Sequence, residues 1–175
     1  MRSTYITHGL TLIELVVVIA LIGLVISLGA PSIIDAQRTM THKGAVESSY
    51  FAMQAARARA ISSGNNVTVS FEATTPWCIG ISDVGPCNCQ VANSCLVDGV
   101  ERVVAAADFE NIVLQEINFG GNGFTVYDGQ RGMALNNAGS FVLSDGSTEA
   151  RIELNTVGRL RVCTEVGDLG TYPQC

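Results

Sequence analysis

Three groups of residues in this chain have the types and spacing to do chemistry. The first is one carboxylate. Glu14 is the single charged residue in a 21-residue apolar run covering residues 10–30. An ionised side chain in hydrocarbon costs about 2.5–3.5 kcal/mol on insertion scales, and a buried charge persists when it has a partner. No Lys or Arg lies within the run. A cut between Gly9 and Leu10 would supply one, a new α-ammonium at Leu10, four residues before Glu14 and belonging to the same chain or to a neighbour. The second group is Gly158-Arg159-Leu160-Arg161. In a strand residues 159 and 161 share a face, and two adjacent guanidiniums repel unless an anion meets them. Arg offers planar, bidentate donors suited to phosphate, and Arg151 on a neighbouring strand would add to the patch. Glu149, Glu153 and Glu165 are equally placed to pair with these arginines across the sheet, so phosphate capture and internal ion pairing both stay open.

The third group is six cysteines: Cys78, Cys87, Cys89, Cys95, Cys163 and Cys175. So many in a small domain imply an oxidising compartment and disulfides. Cys163 and Cys175 enclose a short terminal loop and are expected to bond, adding about 2–4 kcal/mol. The other four are expected to pair among themselves and staple the loop between Cys78 and Cys95, with Cys87 and Cys89 not joined to each other. Cys87 and Cys89 form C-x-C rather than C-x-x-C, and His8 and His42 lie far from the cysteines in sequence. No metal or other cofactor is therefore expected. Nor is an enzyme: a Ser–His–Asp set lacks a histidine beyond the N-terminal helix, and Gly120-Gly121-Asn122-Gly123 lacks the G-K-[ST] of a phosphate loop and reads as a turn. The net charge of −6 excludes bulk electrostatic attraction to nucleic acid, so any anion site must be a local patch.

The elements that hold these groups follow from periodicity. The run 10–30 matches the length of a bilayer core. It is too long for a signal-peptide core, carries a carboxylate, and continues into helical sequence without a small-residue cleavage site. Pro31 predicts a kink or local melting, since it removes a helical hydrogen bond. Beyond it Val46, Tyr50, Met53, Ala56 and Ala60 form one apolar stripe, with Arg57 and Arg59 off it. Gly64-Asn65-Asn66 then reads as a C-cap and turn. The helix is expected over 12–63, its part 31–63 being the amphipathic half. After Gly64 short apolar runs alternate with turn residues. Strands are expected at 66–72, 77–82, 102–106, 112–119, 124–127, 132–135, 140–143, 149–154 and 158–163, with Asp145-Gly146 as a hairpin turn. The fold class is α+β: a long N-terminal helix packed on an antiparallel sheet domain, residues 64–175.

Gly9-Leu10-Thr11-Leu12-Ile13-Glu14, the unbroken apolar helix after it and Pro31 resemble the signal of type IV prepilins and pseudopilins. The resemblance implies a leader peptide, residues 1–9, whose Arg2 fits retention on the cytoplasmic side. A prepilin peptidase would cut after Gly9 and N-methylate Leu10, where the family usually has Phe. Glu14 would contact the amine of an adjacent subunit during assembly, and residues 10–30 would anchor the chain in the bacterial inner membrane and later form the filament core. The segments ARARAISSGNNVTVSF, FTVYDGQRG, GSFVLS and RIELNTVGRLRVC resemble the GspH/FimT group of pilins. That implies a type IV pilin fold and other pilins as partners. The function implied is that of a minor pilin near the tip of an extracellular filament, priming its assembly, or of a pseudopilin of type II secretion. The G-R-x-R motif resembles the DNA-contacting element of competence pilins; carried over, Gly158 permits close approach while Arg159 and Arg161 meet the backbone of extracellular double-stranded DNA.

Overall fold

A computed structural model describes residues 11–134, 137–170 and 172–175, with backbone alone over 28–32. The chain divides into two compact units, Met1–Arg38 and Thr39–Cys175, and one helix, α1 (Leu12–Ser63), contributes to both. In the first unit α1 is capped by Thr11, whose hydroxyl accepts a hydrogen bond from the Glu14 N–H at 3.3 Å. Thr11 and Glu14 thus have the Thr-x-x-Glu spacing of a capping box. The large apolar side chains from Leu12 to Ile26 are exposed. Among the described residues no helix is long and apolar enough to cross a membrane. Leu10 and the side chains at 28–30, which belong to the run expected to span, lie outside the description.

In the second unit the same helix buries Ala45, Val46, Met53, Ala56 and Ala60 in the core. The backbone N–H of Gly64 closes the last turn on the Ala60 carbonyl at 3.0 Å, and the positive φ of Gly64 (69°) provides the left-handed stop. Among the described residues ten strands follow: β1 (Val67–Glu72), β2 (Cys78–Ser82), β3 (Leu96–Val97), β4 (Val100–Glu101), β5 (Val103–Ala105), β6 (Val113–Phe119), β7 (Phe124–Tyr127), β8 (Gly139–Ser144), β9 (Glu149–Leu154) and β10 (Leu160–Val166). They form one sheet in the order β5-β2-β1-β7, a second in the order β10-β9-β8-β6, and the small hairpin β3-β4. All the pairings are antiparallel. Core side chains from α1 and both large sheets meet around Phe71, Phe119 and Phe141, with the first two rings stacked 4.6 Å apart.

The helix occupies the expected span and the Asp145-Gly146 turn does join two strands, β8 and β9. Three strand expectations change. Residues 132–134 form no strand, because their backbone is drawn into a loop around Asp128; Leu135 lies outside the described residues. The final strand starts at Leu160, not residue 158. The unpredicted hairpin β3-β4 turns at Asp98-Gly99, with φ of 53° and 74°, the signature of a two-residue turn.

Candidate functional site

The six cysteines form three disulfides, Cys78–Cys89, Cys87–Cys95 and Cys163–Cys175. The first two fasten a loop over the outer face of β2. A Cβ on Gly80 would collide with Cys95 Sγ and approach Cys89 Cβ to 2.9 Å, so glycine is what lets the stapled loop lie on the strand. The Cys87 N–H donates to the buried Ser70 hydroxyl at 3.1 Å, which ties the loop to β1 as well. The third disulfide holds the C-terminal tail along the open edge of β10. There Thr164 N–H donates to Pro173 O at 2.8 Å and Cys175 N–H to Thr164 O at 3.0 Å. An edge strand so covered is protected from pairing with another chain.

Arg159 and Arg161 stand exposed around a shallow cavity of about 420 Å³ that Glu153 and Asn155 also line. Arg161 lies directly across from Glu153 in the β10·β9 ladder. Arg159 is in the turn before β10, where its backbone N–H donates to Asn155 Oδ1 at 2.8 Å and its carbonyl accepts from Asn155 N–H at 3.1 Å. The two arginines therefore reach one cavity from a turn and a strand, not by strand alternation. Among the described residues neither guanidinium makes an ion pair. The arrangement can bind an anion, although Glu153 sets a negative charge at its rim.

Arg151 does not join this pair. Its guanidinium donates to Glu165 at 2.8 and 2.9 Å, to Glu116 at 2.8 Å and to the Ser140 hydroxyl at 3.1 Å. Partial burial opposes its charge, yet the two carboxylates outweigh that and raise its pKa. A bulge in β6, where Glu116 takes a φ of 51°, delivers one of these carboxylates. Internal pairing thus takes Arg151 and Glu165, while among the described residues Arg159 and Arg161 make no ion pair.

Gly158 is closely packed against the rest of the domain. It is buried, with φ at 77°, and an added Cβ would strike Gly132 O and come within 2.9 Å of Arg57 Nε. Its close approach is to the protein itself. Arg57 donates from Nε to Gly132 O at 3.0 Å and from Nη2 to Val157 O at 3.3 Å. Gly132 is in turn set by Asp128, whose carboxylate accepts the N–H groups of Gln130, Arg131 and Met133 at 2.8–3.0 Å. Those bonds, led by the one from Met133, hold the Asp128 pKa below the usual carboxylate value. The segments ARARA, DGQRG and TVGR therefore converge into one clasp that fixes the turn carrying Arg159. Periodicity places Arg57 off the apolar stripe and carries no local signal of its long-range partners.

Glu14 is exposed in the first turn of α1 and makes no ion pair among the described residues. Pro31 lies within α1. Gly9 and Leu10 lie outside the described residues. No group of His, Cys, Asp and Glu able to hold a metal ion is found among the described residues.

A helix packed on antiparallel sheets, preceded by an exposed apolar helical segment, fits a pilin-like fold. The sequence model of the family described as type II transport protein GspH matches residues 45–158. The chain belongs to that family. No curated protein and no solved structure is similar enough to match it.

Proposed function

We propose that this chain is a minor pilin, made as a precursor, clipped after Gly9 and incorporated into a type IV pilus near its tip, where it helps prime assembly. The observation that carries this reading is the exposed apolar helix over 12–27 with one carboxylate, Glu14, in a member of the GspH family. An apolar helical surface of this length needs lipid or neighbouring helices to cover it, and the lone carboxylate needs a cation. Residues 10–30 anchor the chain in the inner membrane with the domain in the periplasm. On assembly Glu14 meets the N-methylated ammonium of a neighbour's first residue, and the partners are other pilins. Mass spectrometry of the native protein should find a chain starting at methylated Leu10; an intact leader overturns the proposal. Glu14→Val should insert in the membrane but fail to enter filaments.

The competing reading is a minor pseudopilin of a type II secretion system, and the family's description favours it. Deletion of the gene separates the two. Loss of surface pili with secretion intact supports the pilus; the reverse supports the secretion machine.

A binding role is added by the two unpaired guanidiniums. We propose that Arg159 and Arg161 contact the phosphates of extracellular double-stranded DNA. Such contacts give weak, salt-sensitive binding without sequence preference. In a gel shift the full chain should retard duplex DNA at low salt, and the double variant Arg159→Ala/Arg161→Ala should not. Equal retardation by both sinks this role and leaves the filament role standing.

A further inference from the structure

Among the described residues the strand β5 has one edge without a strand partner. It ends its sheet beside β2, and the register shows which of its groups are used. The Arg102 carbonyl accepts from Ile81 N–H at 2.9 Å, the Ala106 N–H donates to Trp77 O at 3.0 Å, and Val104 lies opposite Ile79. By the two-residue period of an antiparallel ladder, Arg102, Val104 and Ala106 face β2, so the N–H and C=O groups of Val103 and Ala105 point the other way. Among the described residues no strand pairs with that side. This differs from β10, whose edge the C-terminal tail covers.

The unpaired end of β5 borders a groove of about 640 Å³ lined by Phe51, Ala52 and Ala55 of α1 and by Val103 and Val104. Phe51 is 63% exposed, although it neighbours the buried Met53 on the same helix. At the rim stands Arg102, exposed and without an ion pair among the described residues. The nearby Arg59 is already held by Asp98, so Arg102 is the cation open to a newcomer. A row of free main-chain groups beside an apolar groove walled by a helix is the arrangement that receives an extended peptide by strand addition.

We propose that β5 and this groove bind an extended segment of a partner protein. The segment is apolar at alternate positions and carries a carboxylate. Its backbone pairs with Val103 and Ala105, its apolar side chains lie against Phe51 and Ala55, and its carboxylate meets Arg102. The inference stands independently of the filament and DNA readings, since it uses neither Glu14 nor Arg159 and Arg161.

The test uses the full chain in detergent micelles and fluorescein-labelled hexapeptides of pattern Glu-x-Ser-x-Thr-x, with x a mixture of Val, Ile, Leu and Phe. Fluorescence anisotropy should rise to saturation. N-methylation of alternate peptide amides removes the strand donors and should weaken binding about tenfold or more. Arg102→Glu should weaken the Glu-bearing peptides about fivefold while leaving Gln-bearing ones within about twofold. Ala55→Trp, on an exposed helix position, should fill the groove and abolish binding while near-ultraviolet circular dichroism stays native. No saturation of the wild-type chain by about 1 mM peptide overturns the proposal. So does equal binding of the N-methylated peptides, or preference for a helical peptide of the same composition, which would make the groove a helix receptor.

Discussion

One helix, α1, lives by two different rules along its length. Over 12–27 the described large apolar side chains are exposed. Over 39–63 a stripe of small and apolar side chains, from Ala45 to Ala60, is fully buried against sheets. Local propensity cannot separate these halves, because both are helical and both are rich in aliphatic residues. The difference lies in what covers them. The second half finds its cover within its own unit, and its polar groups take specific partners there, as Arg57 does with two loop carbonyls. The first half leaves its described large apolar side chains without cover in its own unit. Apolar pattern therefore has opposite outcomes in the two halves: burial in one, exposure in the other.

The strongest way to break that comparison is to truncate one buried side chain of the sheets that cover the second half and one exposed side chain of the first half. Phe141→Ala removes a fully buried ring packed on Phe71 and Phe119. It should cost about 3–5 kcal/mol in denaturant unfolding of the full chain followed by Trp77 fluorescence. Leu21→Ala, at a side chain that is exposed, should change the same measurement by no more than about 0.5 kcal/mol. A comparable loss from both would erase the difference in cover between the two side chains.

The next effect concerns the tail. Cys163→Ser/Cys175→Ser opens a disulfide with a sequence separation of 12, and loop entropy puts the loss near 3 kcal/mol. It should also free the edge of β10, so hydrogen exchange at Thr164 and Cys175 should quicken far more than at Val69 in β1.

Gly158 and Arg159 are neighbours with opposite expected effects. Gly158→Ala puts a Cβ against the Gly132 carbonyl at a φ of 77° and should destabilise by about 1–3 kcal/mol. Arg159→Ala should leave stability within about 0.5 kcal/mol and act only on anion binding. If Gly158→Ala keeps full stability, the glycine is not a packing residue and its role reverts to ligand approach.

These cases mark how far the sequence could be read. Local signals were legible: the helix stripe, the Gly64 stop, the alternation in β1 and β9, and a pair of cysteines that encloses a short terminal loop. The candidate site was half legible. Arg159 and Arg161 announced themselves by type and spacing, but which arginines are free is decided by partners remote in sequence. Glu116, placed by a bulge 35 residues from Arg151, removes Arg151 from the patch. Arg57, 75 residues from Gly132, turns Gly158 from a ligand-facing glycine into a buried one. Asp98-Gly99 carried a clear turn signal, but its flanking strands have only two residues each, too short for alternation to register.

The smallest effect separates the halves by pH. The domain half of α1 brings His42 to the β8–β9 turn, where His42 Nδ1 lies 3.6 Å from Asp145 Oδ2 and His42 Nε2 bonds the Leu143 carbonyl at 3.0 Å. Burial pushes the Asp145 pKa up. The N–H groups of Ser147 and Thr148, the Ser147 hydroxyl and His42 outweigh it, so the folded value lies below that of a free carboxyl. A carboxyl depressed in the folded state lends stability above its unfolded pKa, about 3.9, and that stability is lost as pH falls through the folded value. Unfolding midpoints should therefore drop as pH goes below about 4, and Asp145→Asn should flatten part of that slope. Asp128, with its pKa lowered by loop N–H groups, supplies a second part, so the double variant Asp128→Asn/Asp145→Asn should flatten it further. An unchanged slope in the double variant would mean that neither turn couples protonation to folding, and that packing and the His42–Leu143 hydrogen bond hold α1 to the β8–β9 turn.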